Sequence, residues 1–444
     1  MNGLLDLECV REVNWIDFSP LRARSGNDNT VSLEKIGQTV ITRALRAENI
    51  RVGYTTPEKM EGKLLLASVS SSVDALSLRR QLQKAGRRSG QTVLIGGAGA
   101  TNPFLFVGIG DYLYLGRAHT EVAAIVADVL AGRNPQNNHL VALDEMNSAS
   151  MNSDAPIITT SITLPCPRQP WEEGFFGCSR MCAFCQYAHV RRLSRHRDYV
   201  QTTGAAISSE LDLLTIAEGK FTPTRRVLTA LDGSSERLRF AFGKPITNSD
   251  IGSAMRNLYD AGVSVVDIYN VGCFPSEKDK DIAELEAAFA GARVTAGRRP
   301  PMYVVVHTTP LRPMAFTPLF FASVSFERNW RELSGQVIRS DDALVVSHSK
   351  YMEGTASHIR AVAAERCIDN AAAQSILNIV QTKKFGAMPP RDALAALTDA
   401  QLHLLTEPLP LGNPFCDRWR SWQSNGTIYR RYQRAMLHAE GERE

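Results

Sequence analysis

Three cysteines, Cys178, Cys182 and Cys185, stand close together in the segment GFFGCSRMCAFCQY with C-x3-C-x2-C spacing. Three thiolates on one short loop can converge on a single metal centre, because such a loop can wrap around a small inorganic cluster. A [4Fe-4S] cluster that only transfers electrons usually has four protein thiolates. The three thiolates therefore predict a [4Fe-4S] cluster with one iron left open to an outside ligand.

Two other interpretations of these cysteines stay open. A structural zinc ion could take Cys166 as a fourth ligand, although zinc cysteines usually come in two separated pairs and this chain has one group. The three could also be unrelated buried cysteines, because free cysteine is common in protein cores, but it is rarely so closely grouped. The iron–sulfur interpretation fits the grouping best.

The first third of the chain alternates strand-like and helix-like segments, the pattern of an open α/β sheet. KLLLASV from Lys63 and TVLIGG from Thr92 predict buried strands, and apolar residues at helical spacing predict the helices that follow them. We expect a doubly wound, Rossmann-like domain over residues 1–132. The polar stretch 133–156 predicts a linker, with one short strand at HLVAL.

A second α/β series is expected over residues 157–325. The predicted elements are helices at 203–219, at 248–262 with Asn248 as N-cap and Gly262 as C-terminal stop, and at 282–289, and strands at 226–231, 263–271 and 302–306. Repeated βα units of this length predict a partial (β/α)6 barrel of the TIM type, whose working face is the C-terminal ends of its strands. Residues 326–444 predict a mainly helical region that shapes the substrate site.

The cysteine motif resembles the signature of the radical S-adenosylmethionine (SAM) superfamily, in which an aromatic residue, here Phe184, precedes the last cysteine. The resemblance implies that the amino and carboxylate groups of SAM chelate the open iron, and that reductive cleavage of SAM gives a 5′-deoxyadenosyl radical. It further implies that Phe184 and Tyr187 lie at the SAM site. An external electron donor of the flavodoxin or ferredoxin type would reduce the cluster.

The stretch that begins LDGSSERLRF is similar to one shared by radical SAM enzymes with an N-terminal cobalamin-type domain. The resemblance implies that Ser234, Ser235 and Glu236 lie near the amino-acid end of SAM. The alternative is a polar βα loop with an N-cap serine.

Three more candidates lie at or near the ends of predicted barrel strands. Cys273 could donate a hydrogen atom, but an isolated cysteine is more often a small buried side chain, and we favour packing. The piece HTTPLRPMAFTPLFF resembles the final barrel segment of the family, which implies that His307 and Arg312 reach the pocket.

The order of segments in the first domain resembles the cobalamin-binding domain of the same enzymes. Gly96 and Gly97 would let the backbone approach a large flat ligand, because glycine lacks a Cβ atom. The D-x-H-x-x-G motif, whose histidine ligates cobalt, is absent, and GRAH at 116–119 replaces the usual GEGE. The domain therefore either binds cobalamin without that histidine or retains the fold with an empty site.

The charge of the chain says little about its partners, since the formal net charge is only +4. Near the C-terminus, however, five arginines between Arg418 and Arg434 alternate with four aromatic residues. Arginines beside exposed aromatic rings can grip phosphates and stack bases. The alternative is a helix whose aromatics are core and whose arginines are solvated. The binding interpretation of this pattern implies a substrate that is a nucleobase, a nucleotide or a nucleic acid.

Taken together, the cysteine motif and the resemblance to the radical SAM family imply an enzyme that modifies an unactivated carbon, by cobalamin-dependent methylation, by a radical rearrangement or by another carbon-centred modification. Methylthiolation is disfavoured, because only Cys9 precedes Cys166 and a second cluster would need more cysteines. A cytoplasmic, membrane-free location is expected, since the sequence has neither a secretory signal nor a membrane-length apolar run. The alternative is a non-catalytic, zinc-stabilised nucleic-acid-binding protein.

Overall fold

The computed structural model of the chain describes most of its residues. These are 12–17, 41–54, 62–69, 71–85, 90–97, 99–100, 102–115, 118–137, 139–144, 158–159, 181–185, 189, 208–210, 212–222, 224–297, 299–328, 330–366, 368, 370–420 and 423–441. Among them, no helix has both the length and the apolar character needed to cross a membrane.

The first sheet has six strands in the order β2-β1-β3-β4-β5-β6. Its strands are β1 Glu12–Asp17, β2 Arg51–Tyr54, β3 Leu64–Ser68, β4 Thr92–Gly96, β5 Tyr112–Tyr114 and β6 Leu140–Ala142. Neighbouring strands are parallel except that β6 runs antiparallel to β5. The short strand predicted at HLVAL is confirmed as β6, and because β6 joins this sheet, the first domain extends past the expected boundary at residue 132.

Helices cover both faces of this sheet, as the doubly wound prediction requires. They are α1 at residues 41–47, α2 Ser72–Ala85 and α3 Ala118–Leu130. Alternate residues of β3 point to opposite faces: Leu65 packs in the core that contains α2, whereas Leu64 and Leu66 pack in the core that contains α3. The alternation explains why the whole strand is apolar.

The second sheet also has six strands, in the order β12-β13-β11-β10-β9-β8. They are β8 Ser208–Glu210, β9 Arg226–Ala230, β10 Val265–Gly272, β11 Met302–Pro310, β12 Val337–Ser340 and β13 Leu344–His348. All neighbours are parallel except the edge strand β12. A short strand at Ile158–Thr159 (β7) pairs instead with Trp419–Arg420 (β14). The described strands thus form an open, mainly parallel sheet, and closure into a (β/α)6 barrel stays a prediction.

Two expectations about this region are wrong. The predicted helix over 203–219 contains strand β8, because Ser208–Glu210 hydrogen-bonds alongside Arg226–Leu228, and only Leu213–Ala217 (α4) is helical there. The expected boundary at residue 325 is also misplaced, because β12 and β13 extend the same sheet beyond it. Short strands of this kind carry too few residues for a clear alternation.

Three further helices accompany the second sheet: α5 Glu236–Ala241, α6 Asn248–Asp260 and α7 Asp279–Ala290. Helix α6 buries Ile251, Met255 and Leu258 as predicted, and Gly262 follows its end with a positive φ of 83°. Its N-cap is Thr247 rather than Asn248, because Thr247 and Asp250 form a reciprocal capping box.

The C-terminal region is mainly helical, as expected, but it does not stand apart. Its helices are α8 Thr355–Arg366, α9 Asn370–Val380, α10 Lys383–Gly386, α11 Pro390–Ala395, α12 Asp399–Thr406, α13 Pro414–Arg418 and α14 Asn425–Glu440. Apolar residues of α8 and α9 share one core with α2 and the first sheet. The buried Asn102 side chain adds a hydrogen bond to the Ala364 carbonyl oxygen across 2.9 Å. The last helices therefore complete the core of the first domain.

Candidate functional site

The turn that carries Cys182 and Cys185 is held by backbone hydrogen bonds on both sides. The Ala183 N–H donates to the Phe242 carbonyl oxygen across 2.9 Å, and the Leu319 N–H donates to the Ala183 carbonyl oxygen across 3.0 Å. Within the turn, the Cys185 N–H donates to the Cys182 carbonyl oxygen across 3.1 Å. These contacts fix the two thiols relative to the sheet. Two other predicted residues, Cys178 and Tyr187, lie outside the described residues.

The partners of this turn all follow the C-terminal ends of parallel strands. Phe242 follows β9, Phe274 follows β10, and Leu319 follows β11. Phe184 packs on Phe274 with ring centroids 5.8 Å apart, and Phe274 stacks on Phe242 at 4.5 Å. The cysteine turn therefore lies at the C-terminal edge of the second sheet, where parallel α/β folds build their active sites.

A buried histidine anchors the same turn. The Nε2 atom of His189 lies 3.0 Å from the Cys182 carbonyl oxygen, and its Nδ1 atom lies 3.4 Å from the Gln423 side-chain nitrogen. Burial lowers the pKa of His189 to about 4. The ring is therefore neutral near pH 7, with Nε2–H as donor to the carbonyl and Nδ1 as acceptor. Sequence reasoning missed His189, because only the fold shows that a histidine four residues beyond the motif turns back onto it.

The sulfur of Cys182 is buried against Gly243. Its Sγ atom lies 3.5 Å from the Gly243 carbonyl oxygen, and Gly243 has a positive φ of 88°. Among the described residues, no three His, Cys, Asp or Glu side chains converge as metal ligands do. Two of the three predicted thiols share one short, fixed turn, which fits a thiolate-held cluster.

The two predicted SAM-contacting serines are buried and bonded to carboxylates. Ser234 Oγ donates to Glu277 Oε1 across 2.6 Å, and Ser235 Oγ donates to Asp281 Oδ1 across 2.6 Å. Ser235 is also the N-cap of α5, as the loop interpretation predicts. Glu236 accepts from the Asn248 N–H across 2.9 Å, at the start of α6. These bonds brace the loop, and contact of its residues with SAM stays a prediction.

A carboxyl group that was not among the predicted site residues lies beside Ser234. Glu277 Oε2 accepts from the Cys273 N–H across 2.6 Å. Burial raises the pKa of Glu277 to about 7, although the bonds from Ser234 and Cys273 oppose the rise. This carboxyl group can hold or release a proton near neutral pH at the C-terminal end of β10.

Cys273 ends β10 in a left-handed conformation, with φ 56°. Trp330 Nε1 lies 3.1 Å from its sulfur, and Trp330 and Met352 bury it. Burial, with the nearby Glu277 adding to the effect, raises the pKa of the Cys273 thiol to about 12, so the thiol stays protonated. A sulfur enclosed in this way fits the packing interpretation, and hydrogen-atom donation stays a prediction.

His307 lies on the face of the second sheet opposite the helices α6 and α7. Its Nε2 atom pairs with Asp267 Oδ1 across 2.9 Å, and its ring stacks on Tyr269 with centroids 5.3 Å apart. Arg226 Nε donates to the other oxygen of Asp267 across 2.6 Å. Burial raises the pKa of Asp267, but the bonds from His307 and Arg226 outweigh it and hold the pKa below its ordinary value. Asp267 is thus an anion that orients His307.

The other predicted pocket residue, Arg312, follows β11 and pairs with Glu353 across 2.6 Å. It also lies close enough to the buried Glu365 to lower the pKa of that carboxyl, although burial is the larger effect and raises it to about 7. The structure therefore places Arg312 near α8, with Glu353 as its partner, whereas His307 pairs with Asp267. These two predicted pocket residues belong to separate groups of side chains.

The first domain offers a test of the predicted cobalamin contacts. A Cβ atom on Gly97 would lie 2.3 Å from the Val69 carbonyl oxygen, and its φ is 109°. The chain itself therefore requires glycine at 97. A Cβ atom on Gly96 would have ordinary contacts only. Packing within the chain thus explains Gly97 but not Gly96, and cobalamin binding stays a prediction.

No protein-family model matches the chain, and no curated protein matches its sequence. Among solved structures, the chain is similar to the cobalamin-dependent S-adenosylmethionine radical enzyme OxsB with aqua-cobalamin bound, at 11% identity and a TM-score of 0.39, with 65% of this chain and 54% of that chain covered. For OxsB with aqua-cobalamin and SAM bound, the identity is 11% and the TM-score 0.38, with 65% of this chain and 54% of that chain covered. For apo OxsB, the identity is 10% and the TM-score 0.36, with 97% of this chain and 79% of that chain covered. This chain thus spans about half of the first two structures. Since these TM-scores are all below 0.5, the function proposed next rests on the residues of this chain.

Proposed function

We propose that this chain is a radical SAM enzyme. Cys178, Cys182 and Cys185 hold a [4Fe-4S] cluster with one iron open to SAM. One observation carries the proposal: the C-x3-C-x2-C motif has its last two thiols on a turn braced at the C-terminal edge of a parallel sheet. When bound, the reduced cluster supplies the electron that cleaves SAM to a 5′-deoxyadenosyl radical, which abstracts hydrogen from an unactivated carbon.

The residues of this chain position the cysteine thiols and exclude water from the site. His189 and the backbone of Phe242 hold the cysteine turn, so the sulfurs of Cys182 and Cys185 are in place before the cluster is loaded. Phe184, Phe242 and Phe274 form an apolar wall beside them that keeps water from a reactive radical. Glu277 holds a proton at the neighbouring strand end.

Anaerobic reconstitution tests this proposal. The wild-type protein should turn brown, bind iron and sulfide in [4Fe-4S] stoichiometry, and release 5′-deoxyadenosine from SAM when it is reduced. A colourless protein with one stoichiometric zinc ion would overturn the proposal and favour the zinc-stabilised nucleic-acid-binding alternative.

The substrate in this proposal is a small molecule that contains a nucleobase. What supports it is the sheet face around His307, where Tyr269 is 47% exposed and stacks on the His307 ring. Exposed aromatic rings stack on bases, and the Asp267–His307 pair offers an oriented hydrogen-bonding group beside them. In contrast, Tyr429 and Tyr432 of α14 pack on Phe321, so these aromatics of the C-terminal segment face inward.

Mass spectrometry of reaction products tests the substrate class. Reduced enzyme should modify one among a panel of nucleosides and nucleotides. Tyr269→Ala should then raise KM about tenfold, since base stacking contributes about 1–3 kcal/mol. Tyr351→Ala, at a residue 94% exposed on another segment, is the matched control. Modification of peptides alone would reject this substrate class.

The same products decide the reaction type. Methylation through cobalamin requires that the protein bind aqua-cobalamin and that activity depend on it. Rearrangement, or other carbon modification, requires neither. Difference absorption spectra of the protein with aqua-cobalamin, followed by product mass, separate these two reactions.

A further inference from the structure

The last helix presents two arginines and a histidine to the surface. Arg431, Arg434 and His438 are exposed and lie at i, i+3 and i+7, so they share one face of α14. Ala435 and Ala439 are buried on the neighbouring side of the helix, about a quarter of a turn away. Among the described residues, no acidic side chain forms an ion pair with Arg431 or Arg434. We call these three residues the α14 basic surface.

The α14 basic surface borders a shallow, open cavity of about 150 Å³. The opposite wall of the cavity is the cysteine turn, through Met181 and Ala183, together with Gly243. Because the Gly243 carbonyl oxygen contacts Cys182 Sγ at 3.5 Å, a single peptide group separates this sulfur from the cavity. The α14 basic surface therefore stands at the place where the thiol comes nearest to this cavity.

An exposed aromatic residue immediately precedes part of the cavity lining in the sequence. Phe240 of α5 is 51% exposed, and it directly precedes Ala241, Phe242 and Gly243, which line the cavity. An exposed aromatic together with exposed arginines is the composition of a protein-binding surface with a small apolar centre and a charged rim. Encounters of electron-transfer proteins use small surfaces of this kind.

We propose that the α14 basic surface docks an acidic one-electron carrier protein, which delivers its electron through the Gly243–Cys182 contact. The proposal rests on the proposed function, because it needs a cluster on Cys182. In this step the reduced carrier loses one electron, the oxidised cluster gains it, and no bond or proton changes hands. Positive charge on α14 attracts the acidic carrier and raises the rate of encounter.

Nucleic acid is the competing occupant of a cationic surface, and the structure favours the carrier. Single-stranded nucleic acid is bound by charge together with exposed aromatic platforms. On α14 the tyrosines pack inward on Phe321, while the arginines point outward. The exposed Phe240 is a single ring on another helix, α5, and not a platform on which successive bases stack, so the surface suits an acidic protein better than bases.

The test is charge reversal with the loaded enzyme. Arg431→Glu/Arg434→Glu is compared with Arg293→Glu/Arg391→Glu, which makes the same change of charge at exposed arginines on other segments. In anaerobic stopped flow at low salt, reduced flavodoxin should bleach the cluster absorption at least tenfold more slowly in the α14 variant, and the salt dependence of the rate should weaken. The control variant should keep most of the wild-type rate.

Two further measurements keep the outcomes separate. Dithionite, which needs no docking surface, should reduce both variants at similar rates, and oxidised flavodoxin should bind the α14 variant more weakly in titration calorimetry. Equal flavodoxin rates in both variants would overturn the docking proposal while the cluster stands. A wild-type protein that forms no cluster would instead defeat the proposed function. Loss of RNA binding with an unchanged flavodoxin rate would assign the surface to nucleic acid.

Discussion

The Nε2–H of His189 donates a hydrogen bond to the Cys182 carbonyl oxygen across 3.0 Å, and both residues are buried. The Ala183 N–H, next along the chain, is already bonded to Phe242. The peptide group between Cys182 and Ala183 is thus fixed at both its oxygen and its nitrogen. A turn held this firmly has little freedom left to lose when a metal centre binds to its thiols.

His189→Leu should therefore lower the amount of iron that the protein retains. The substitution removes one of the two hydrogen bonds to the Cys182 carbonyl oxygen, the other being from the Cys185 N–H, which costs about 0.5–1.5 kcal/mol. Iron and sulfide analysis after anaerobic reconstitution and desalting is the measurement. His403→Leu, at a histidine whose side chain is 71% exposed, should retain wild-type iron. Equal iron in both variants would show that the turn does not depend on this bond.

Alanine in place of Cys178, Cys182 or Cys185 should abolish the iron–sulfur absorption and the release of 5′-deoxyadenosine. Each change removes one of only three thiolates. Cys416→Ala is the matched control, since Cys416 is a half-buried free cysteine on α13, away from the motif. Normal absorption in any of the three motif variants would contradict the ligand assignment.

Cys273→Ala should lower the melting temperature but leave SAM cleavage in place. The sulfur fills space beside Trp330 and Met352, so its loss should cost about 1–2 kcal/mol of unfolding free energy. Thermal melting and the yield of 5′-deoxyadenosine are the two measurements. If SAM cleavage stayed normal while the yield of product that has received a hydrogen atom fell, the thiol would be a hydrogen-atom donor.

Gly272→Ala should destabilise the protein by about 1–3 kcal/mol, the usual cost of overpacking. A Cβ atom at residue 272 would lie 2.4 Å from the Trp330 ring, which crosses the end of β10 there. Gly412→Ala has nothing within 4 Å and should change stability little. Chemical unfolding of the two variants compares them directly, and equal midpoints would mean that Trp330 moves aside at little cost.

The buried Glu365 should make the protein less stable as pH rises. Burial raises its folded pKa to about 7 from an ordinary 4.5, so the folded state binds the proton more tightly than the unfolded state. Stability from this group is full below pH 4.5 and is lost as pH rises toward 7, by up to about 3 kcal/mol.

Glu365→Gln should therefore be more stable than the wild type at pH 8 and should show a flatter pH dependence of unfolding. The exposed Glu327→Gln variant controls for the change in net charge. A Glu365→Gln variant that is less stable than the wild type at pH 8 would show that the ionised carboxylate is favourable, with Arg312 as its partner.

Local patterns predicted much of the fold because they act over short distances. The helix at 248–260 has an apolar stripe and end signals within its own sequence, and the structure differs from the prediction by one residue at its N-cap. Strand β8 was missed because three residues, Ser208–Glu210, take their conformation from pairing with β9 and not from their own pattern. The same holds for β12 and β13 beyond residue 325.

The candidate site divides in a similar way. The cysteine motif is local, so spacing alone predicted it. The pairs Trp330–Cys273 and His307–Asp267 join residues 57 and 40 positions apart, and only the fold brings them together. No single-sequence pattern marks such pairs, because neither member has an unusual neighbour in the chain.

The core that the first sheet shares with α8 and α9 has a consequence for how the chain is made. During synthesis, β3, β4 and α2 leave the ribosome long before Ile359 and Leu377, which belong to the same apolar core. A nascent first domain must therefore keep apolar surface in water until the last quarter of the chain arrives. Chaperone binding to ribosome-stalled chains that end near residue 340 should exceed binding to chains that end near residue 440.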